Sequence, residues 1–192
     1  PESTIMREII ERIDALTELI QDLQFYARPH APRLETLDLH RVLLDAIASM
    51  RRDPVAEHVK VDVEGAGVML AGDSELIRAA FLNVLLNAAQ AMNGRGAIHI
   101  SISRGTDAAT VRVRDEGPGI AADIRERVFE PFFTTKARGG GLGLAIVRRT
   151  TVLHGGTVAI DIPAEGGTVV SMTLPLKPPT AAQEMPAVSA RA

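Results

Sequence analysis

Apolar residues at Ile5, Ile9, Ile13, Leu16, Ile20 and Leu23 recur in steps of four and three. That spacing lays a narrow stripe along one helical face, as in a bundle or coiled-coil seam. Arg7, Glu11, Arg12, Glu18 and Asp22 lie mostly outside the stripe. A helix packed on its own domain has the same pattern, but the break that follows favours a helix of an intermolecular bundle. Arg28-Pro29-His30-Ala31-Pro32 ends the helix and reads as a linker, because proline neither continues a helix nor allows one just before it. The expected organisation is a helix over 1–28, a linker over 29–35, one domain over 36–177 and a disordered tail over 178–192. The tail is Pro, Ala and Ser without periodicity.

Within the domain the pattern predicts a helix over 39–52 and two strand-like pieces near 59–63 and 68–70, separated by Gly65 and Gly67. Asp73 is a good N-cap for a helix that Asn93-Gly94 and Gly96 stop near Met92. Residues 97–103 and 110–115 alternate like half-buried strands around a Gly105-Thr106-Asp107 turn. An irregular Gly-rich stretch over 117–143 leads into a helix over 144–154. Two last strands, 157–162 and 168–175, meet at Ala164-Glu165-Gly166-Gly167. Antiparallel hairpins with helices between them predict an α+β fold, a two-layer sandwich with helices covering one face of a mixed sheet.

Composition narrows this picture. The chain is 46% hydrophobic but only 3% aromatic and lacks Trp, so its core is aliphatic. A net charge of −3 offers nothing to a polyanion, so no nucleic-acid partner is expected. Zero cysteines exclude disulfides and thiolate metal sites, in keeping with a reducing cytoplasm. No apolar run reaches bilayer length, and no direct membrane contact is expected. Opening on Pro1 without a signal peptide, the chain reads as a fragment or processed form whose parent is free to be membrane-anchored.

Four clusters carry candidate chemistry. Asn83 and Asn87 lie four apart on one helical face, where two amides could offer carbonyl oxygens to a hard cation. Two solvent-facing asparagines would look the same. Asp115-Glu116-Gly117-Pro118-Gly119 places a carboxylate at a strand end, able to accept from an amino group on a base, with glycines that let backbone approach a ligand. A plain turn after a strand is the bland alternative. Phe129-Glu130-Pro131-Phe132-Phe133-Thr134-Thr135-Lys136 holds three of the chain's five phenylalanines. It suggests an aromatic anchor under a mobile segment, and Lys136 supplies a point charge suited to phosphate. Gly139-Gly140-Gly141-Leu142-Gly143-Leu144 runs straight into a helix, where free N–H groups and the positive dipole end favour an anion. Neither a Gly-x-x-x-x-Gly-Lys-Ser/Thr loop nor a Rossmann glycine turn is present.

The order of these clusters is more specific than any one of them. Asn-x-x-x-Asn-Ala, Asp-x-Gly-x-Gly, Phe-x-Pro-Phe-Phe and Gly-x-Gly-Leu-Gly-Leu resemble the N, G1, F and G2 boxes of sensor histidine kinases. Gly166-Gly167-Thr168 resembles the last glycine box, and Thr134-Thr135-Lys136 looks most like the nitrogen-regulation (NtrB-like) branch. The resemblance spans about residues 38–176. It implies the Bergerat-type ATP-binding sandwich shared with gyrase, Hsp90 and MutL.

By this resemblance Asn87 binds the Mg2+ that bridges the ATP phosphates, and Asn83 lines the same site. Asp115 bonds the adenine amino group, Gly117 and Gly119 shape the base pocket, and Thr168 sits near adenine. The segment from Phe133 through Thr134, Thr135, Lys136, Gly139 and Gly140 to Gly141, Leu142, Gly143 and Leu144 is the ATP lid, expected to be mobile without nucleotide. The implied partners are ATP, a phospho-acceptor histidine helix, a response-regulator receiver domain, and a second copy through helix 1–28, which resembles the second helix of a dimerisation hairpin.

Two positions depart from the family pattern. Gln90 stands where many members carry Lys or Arg, which leaves Lys136 as the candidate for that phosphate contact. His30, His40, His58, His99 and His154 all lack the His-Glu/Asp-x-x-x-Pro acceptor context, so they read as structural histidines. The competing functions are an ATP hydrolase or clamp, which typically has Glu where Asn83 stands, and a nucleotide-gated interaction module without transfer activity.

Overall fold

A computed structural model describes residues 31–136 and 139–177, with Met6, Ile20 and Leu23 as isolated helical positions ahead of them. Apart from those three positions, the expected bundle helix and the 178–192 tail lie outside the described residues.

The alternation read in the sequence becomes a five-stranded mixed sheet. Its strands are β2 (His58–Glu64), β4 (Arg95–Arg104), β5 (Ala108–Asp115), β6 (Thr157–Asp161) and β7 (Thr168–Pro175), ordered β2-β4-β5-β7-β6. Only β2 and β4 run parallel. The helices α1 (Leu39–Met50), α2 (Ser74–Ala91) and α3 (Gly143–Leu153) form the second layer. Ile98, Ile100, Ile102, Val111, Val113, Val170, Met172 and Leu174 are buried from the sheet, against Leu43, Ile47, Ile77, Phe81, Leu85 and Val147 from the helices. Phe81 is the one aromatic side chain in this cluster, so the core is aliphatic as composition required.

The start of α2 is fixed by side chains. Asp73 Oδ1 accepts from the Leu76 N–H at 3.1 Å, which caps the helix, and its Oδ2 accepts from the Arg33 N–H at 2.9 Å. Buried His154, at the end of α3, takes the Asp73 N–H on Nε2 at 2.9 Å and lies 2.7 Å from the Thr150 carbonyl through Nδ1. Since Nε2 accepts, the ring proton sits on Nδ1. His154 is thus the structural histidine expected, and it ties α3 to the start of α2.

One expectation needs correction. Glu35 is not linker: it opens β1 (Glu35–Asp38), which pairs antiparallel with β3 (Met69–Gly72) in a separate two-stranded sheet. The pieces expected near 59–63 and 68–70 are both strands, and they go to different sheets. β2 joins the edge of the main sheet beside β4, while β3 pairs with β1. Among the described residues, no helix is long and apolar enough to cross a membrane.

Candidate functional site

The cleft lies between α2, α3, the C-terminal end of β5 and the loop residues 118–136 and 139–141, and encloses about 590 Å³. That is the size range of small-molecule sites. Asn83, Asn87, Asp115, Gly119, Phe133, Thr134, Thr135, Lys136, Gly139, Gly140, Gly141, Leu142, Gly143, Leu144 and Thr168 all line it. The clusters read separately along the sequence therefore converge on one space. Gly117 is the exception; it is absent from the wall and acts through Asp115, donating its N–H to Oδ1 at 2.8 Å.

Asp115 closes β5 and is only 6% exposed. Its Oδ1 also accepts the Thr168 N–H at 3.2 Å, so both backbone donors fall on one oxygen and neither takes Oδ2. Burial pushes the Asp115 carboxyl above its ordinary value, against the lowering effect of the Gly117 and Thr168 hydrogen bonds. A desolvated carboxylate with one oxygen fixed by backbone is well placed to accept from a ligand donor. Around it Ala88, Val113, Ile160 and Val170 give an apolar surface suited to a flat heterocycle.

The α2 wall is polar. Asn83 Nδ2 donates to the Ala79 carbonyl one turn back at 3.0 Å, which satisfies an amide that would otherwise strain a helix interior. The first residue of α3 packs directly onto both asparagines. A Cβ on Gly143 would fall 2.7 Å from Asn83 Oδ1 and 3.3 Å from Asn87 Nδ2, so only glycine brings the helix this close. No side chain caps α3, and its leading N–H groups stay available at the cleft, as in an anion site.

From the opposite wall, the Lys136 ammonium donates to Asn87 Oδ1 at 2.7 Å and to Gln90 Oε1. Lys136 is an exposed residue, yet its ammonium is sunk against α2, and that desolvation lowers its pKa from the usual lysine value. Behind it, Arg127 stacks over the Phe133 ring at 4.5 Å, which anchors the base of the loop.

Sequence reasoning missed Asp53 in the cleft lining. It sits after α1, where its carboxylate caps a short 3-10 turn by accepting from Val55 N–H at 2.9 Å. Asp-Pro reads only as a turn start, so no local signal marked it as a wall residue. None of the described histidines lines the cleft.

Residues 72–178 match the family described as histidine kinase-, DNA gyrase B-, and HSP90-like ATPase. The signal transduction histidine-protein kinase AtoS of Escherichia coli (strain K12) is 30% identical over 174 residues, covering 88% of this chain and 28% of that protein. The C4-dicarboxylate transport sensor protein DctS of Rhodobacter capsulatus is 31% identical over 188 residues, covering 92% of this chain and again 28% of the relative. The chain thus spans less than a third of either protein. Among solved structures, the mycobacterial sensor histidine kinase MprB superposes with a TM-score of 0.69 at 33% identity, over 76% of this chain and 99% of that one. Full-length ShkA in complex with AMPPNP gives 0.76 at 27% identity, over 93% and 40%. Matched in sequence across every box that lines the cleft and in fold across both layers, the chain belongs to the histidine kinase-, DNA gyrase B- and HSP90-like ATPase family, and within it to the sensor histidine kinases.

Proposed function

We propose that this chain is the Mg-ATP-binding catalytic domain of a two-component sensor kinase, working in the cytoplasm. It passes the γ-phosphoryl group to a histidine on a separate acceptor helix, from which a response-regulator receiver domain takes it. Segment 1–28 is assigned to a dimerisation hairpin and 36–177 to the catalytic domain. The observation that carries this reading is the cleft's asymmetry. A buried carboxylate lies at the sheet end, and paired asparagines meet an uncapped helix N-terminus on the α2 side.

The residues divide accordingly. Asp115 accepts the adenine amino group, while Gly119 and Thr168 shape the base pocket. The N–H groups at Gly141, Gly143 and Leu144 take phosphate oxygens. The donor set also fits magnesium, because Asn87 Oδ1 already accepts a cation, the Lys136 ammonium. When bound, magnesium supplies charge neutralisation on the β- and γ-phosphates. The domain's own part is to hold the triphosphate in line. An incoming imidazole nitrogen forms the N–P bond as the bond to the β–γ bridging oxygen breaks, and that electron pair leaves on ADP.

Hydrolysis is disfavoured by what α2 lacks. Among the described residues that line the cleft, the carboxylates are Asp53 and Asp115. Asp53 is engaged as a cap and Asp115 belongs to the base pocket, so no general base is left beside the phosphates to activate water.

The test is a comparison of ligands. Asn87→Ala should weaken Mg-ATP by about 10- to 150-fold, the loss of a cation-bound acceptor of roughly 1.5–3 kcal/mol. Adenosine, which lacks the phosphates, should bind the variant as it binds the wild type. Titration calorimetry with both ligands decides, and equal losses would refute this division of the cleft.

A further inference from the structure

The cleft holds a cation of its own. Asn87 and Gln90 are three apart on α2, so their side chains are neighbours on the helix surface. Both amide oxygens converge on one ammonium, that of Lys136, 46 to 49 residues away in the chain. No carboxylate among the described residues pairs with this lysine. An ammonium held by two neutral amide oxygens finds no counter-charge in those contacts, and the unfilled demand is for an anion.

We propose that Lys136 is a stand-in for magnesium, and that Gln90 is the positioning residue that keeps it there. The proposal rests on the Mg-ATP reading of the cleft above. Without metal, the ammonium occupies the Asn87 oxygen and meets an incoming triphosphate at the place a divalent ion would serve. Once metal is present, the two cations compete for Asn87 Oδ1, since like charges cannot share one oxygen at contact distance without strong repulsion. Lys136 must then leave Asn87. Gln90 is the acceptor it can retain while it turns to the phosphates. This gives a physical role to the neutral residue at position 90, since a Lys or Arg there would repel the Lys136 ammonium from the site.

The stand-in makes a prediction that an ordinary phosphate-binding lysine does not. ATP affinity is measured with excess magnesium and with EDTA, for the wild type, Lys136→Met, Lys136→Arg and Gln90→Met. Removing a stand-in hurts metal-free ATP more than Mg-ATP, so the ratio of the two dissociation constants should rise about tenfold in Lys136→Met, the loss of one charge-assisted contact. In Gln90→Met it should rise about threefold, because the cation is still present but less firmly held. Lys136→Arg, which keeps the charge, should restore most of the metal-free affinity. Adenosine binding, measured in parallel, reports that each variant is folded.

Equal losses with and without magnesium in Lys136→Met, beside normal adenosine binding, would overturn the stand-in and leave the nucleotide site intact. A wild-type chain that binds neither ATP nor adenosine would overturn the nucleotide reading itself, and the stand-in with it.

Discussion

Asp115→Ala should raise the dissociation constants of ATP and adenosine alike, by roughly 10- to 150-fold, the 1.5–3 kcal/mol of a hydrogen bond to a charged acceptor. The adenine end is common to both ligands, so the loss does not depend on phosphate or metal. The carboxylate is 6% exposed and already oriented by the Gly117 and Thr168 N–H groups. A pH dependence goes with it. Burial holds the folded-state pKa above the ordinary 3.8, and only the ionised form is a strong acceptor for an amino group. Adenosine affinity should therefore fall as the pH drops through the raised value, and Asp115→Asn should lose that dependence.

The same shift has a consequence for stability. A raised folded-state pKa contributes stability that is fully present below 3.8 and is lost as the pH climbs through the folded value. Above that folded-state value the buried charge therefore works against the domain. Asp115→Asn should leave thermal stability equal or slightly higher while weakening the ligand, which separates a binding residue from a structural one.

Gly167→Ala should be the most damaging single-methyl change in the sheet layer. Gly167 has φ +83°, and a Cβ there would lie 2.1 Å from the Asp115 carbonyl oxygen, a contact that no rotamer relieves because the obstacle is backbone. The left-handed conformation alone costs an L-residue about 1–2 kcal/mol, and moving the strand end brings the total to about 2–4 kcal/mol. In a domain of this size that lowers Tm by roughly 5–15 °C. Gly166 is the internal control, with φ +94° but nothing within 4 Å of its Cβ position, so Gly166→Ala should cost only about 1 kcal/mol. Because Gly167 precedes Thr168, its substitution should also disturb the Thr168 N–H that orients Asp115 and so weaken adenosine binding. Melting curves and adenosine titrations of the two alanine variants check both parts.

How much of this was legible in the sequence follows from the range of each interaction. α2 could be read to within a residue at either end, because Asp73 and the glycines after Met92 act on their immediate neighbours. The alternation of β4, β5 and β7 was equally local. β1 was not readable, because four residues with Leu37 as the buried member show no periodicity, and its partner β3 lies beyond a whole helix. The parallel pairing of β2 with β4 was hidden for a similar reason, since it is set by the crossover through α2 rather than by the residues of β2.

In the cleft, the box residues converge as their order suggested, but the two glycines after Asp115 do not act alike. Gly117 reads like Gly119, yet only Gly119 reaches the wall, while Gly117 supports Asp115. The grip of Lys136 on Asn87 and Gln90 joins a loop to a helix almost fifty residues earlier, and no local pattern encodes it.

The central claim is that the cleft delivers phosphate to a histidine outside it. None of the described histidines lines the cleft, and His154 is engaged at both ring nitrogens. Bringing an imidazole in line with the γ-phosphate is worth on the order of 7–11 kcal/mol to such a reaction, and these histidines do not have that placement. The direct measurement is incubation of the chain with γ-labelled ATP and magnesium, alone and with an added acceptor helix from a sensor kinase. The account predicts no label on the chain alone, and acid-labile, base-stable label on the acceptor when both are present. Acid-labile label on this chain that disappears on substitution of one of its own histidines would contradict it, as would release of free phosphate with none passed to the acceptor.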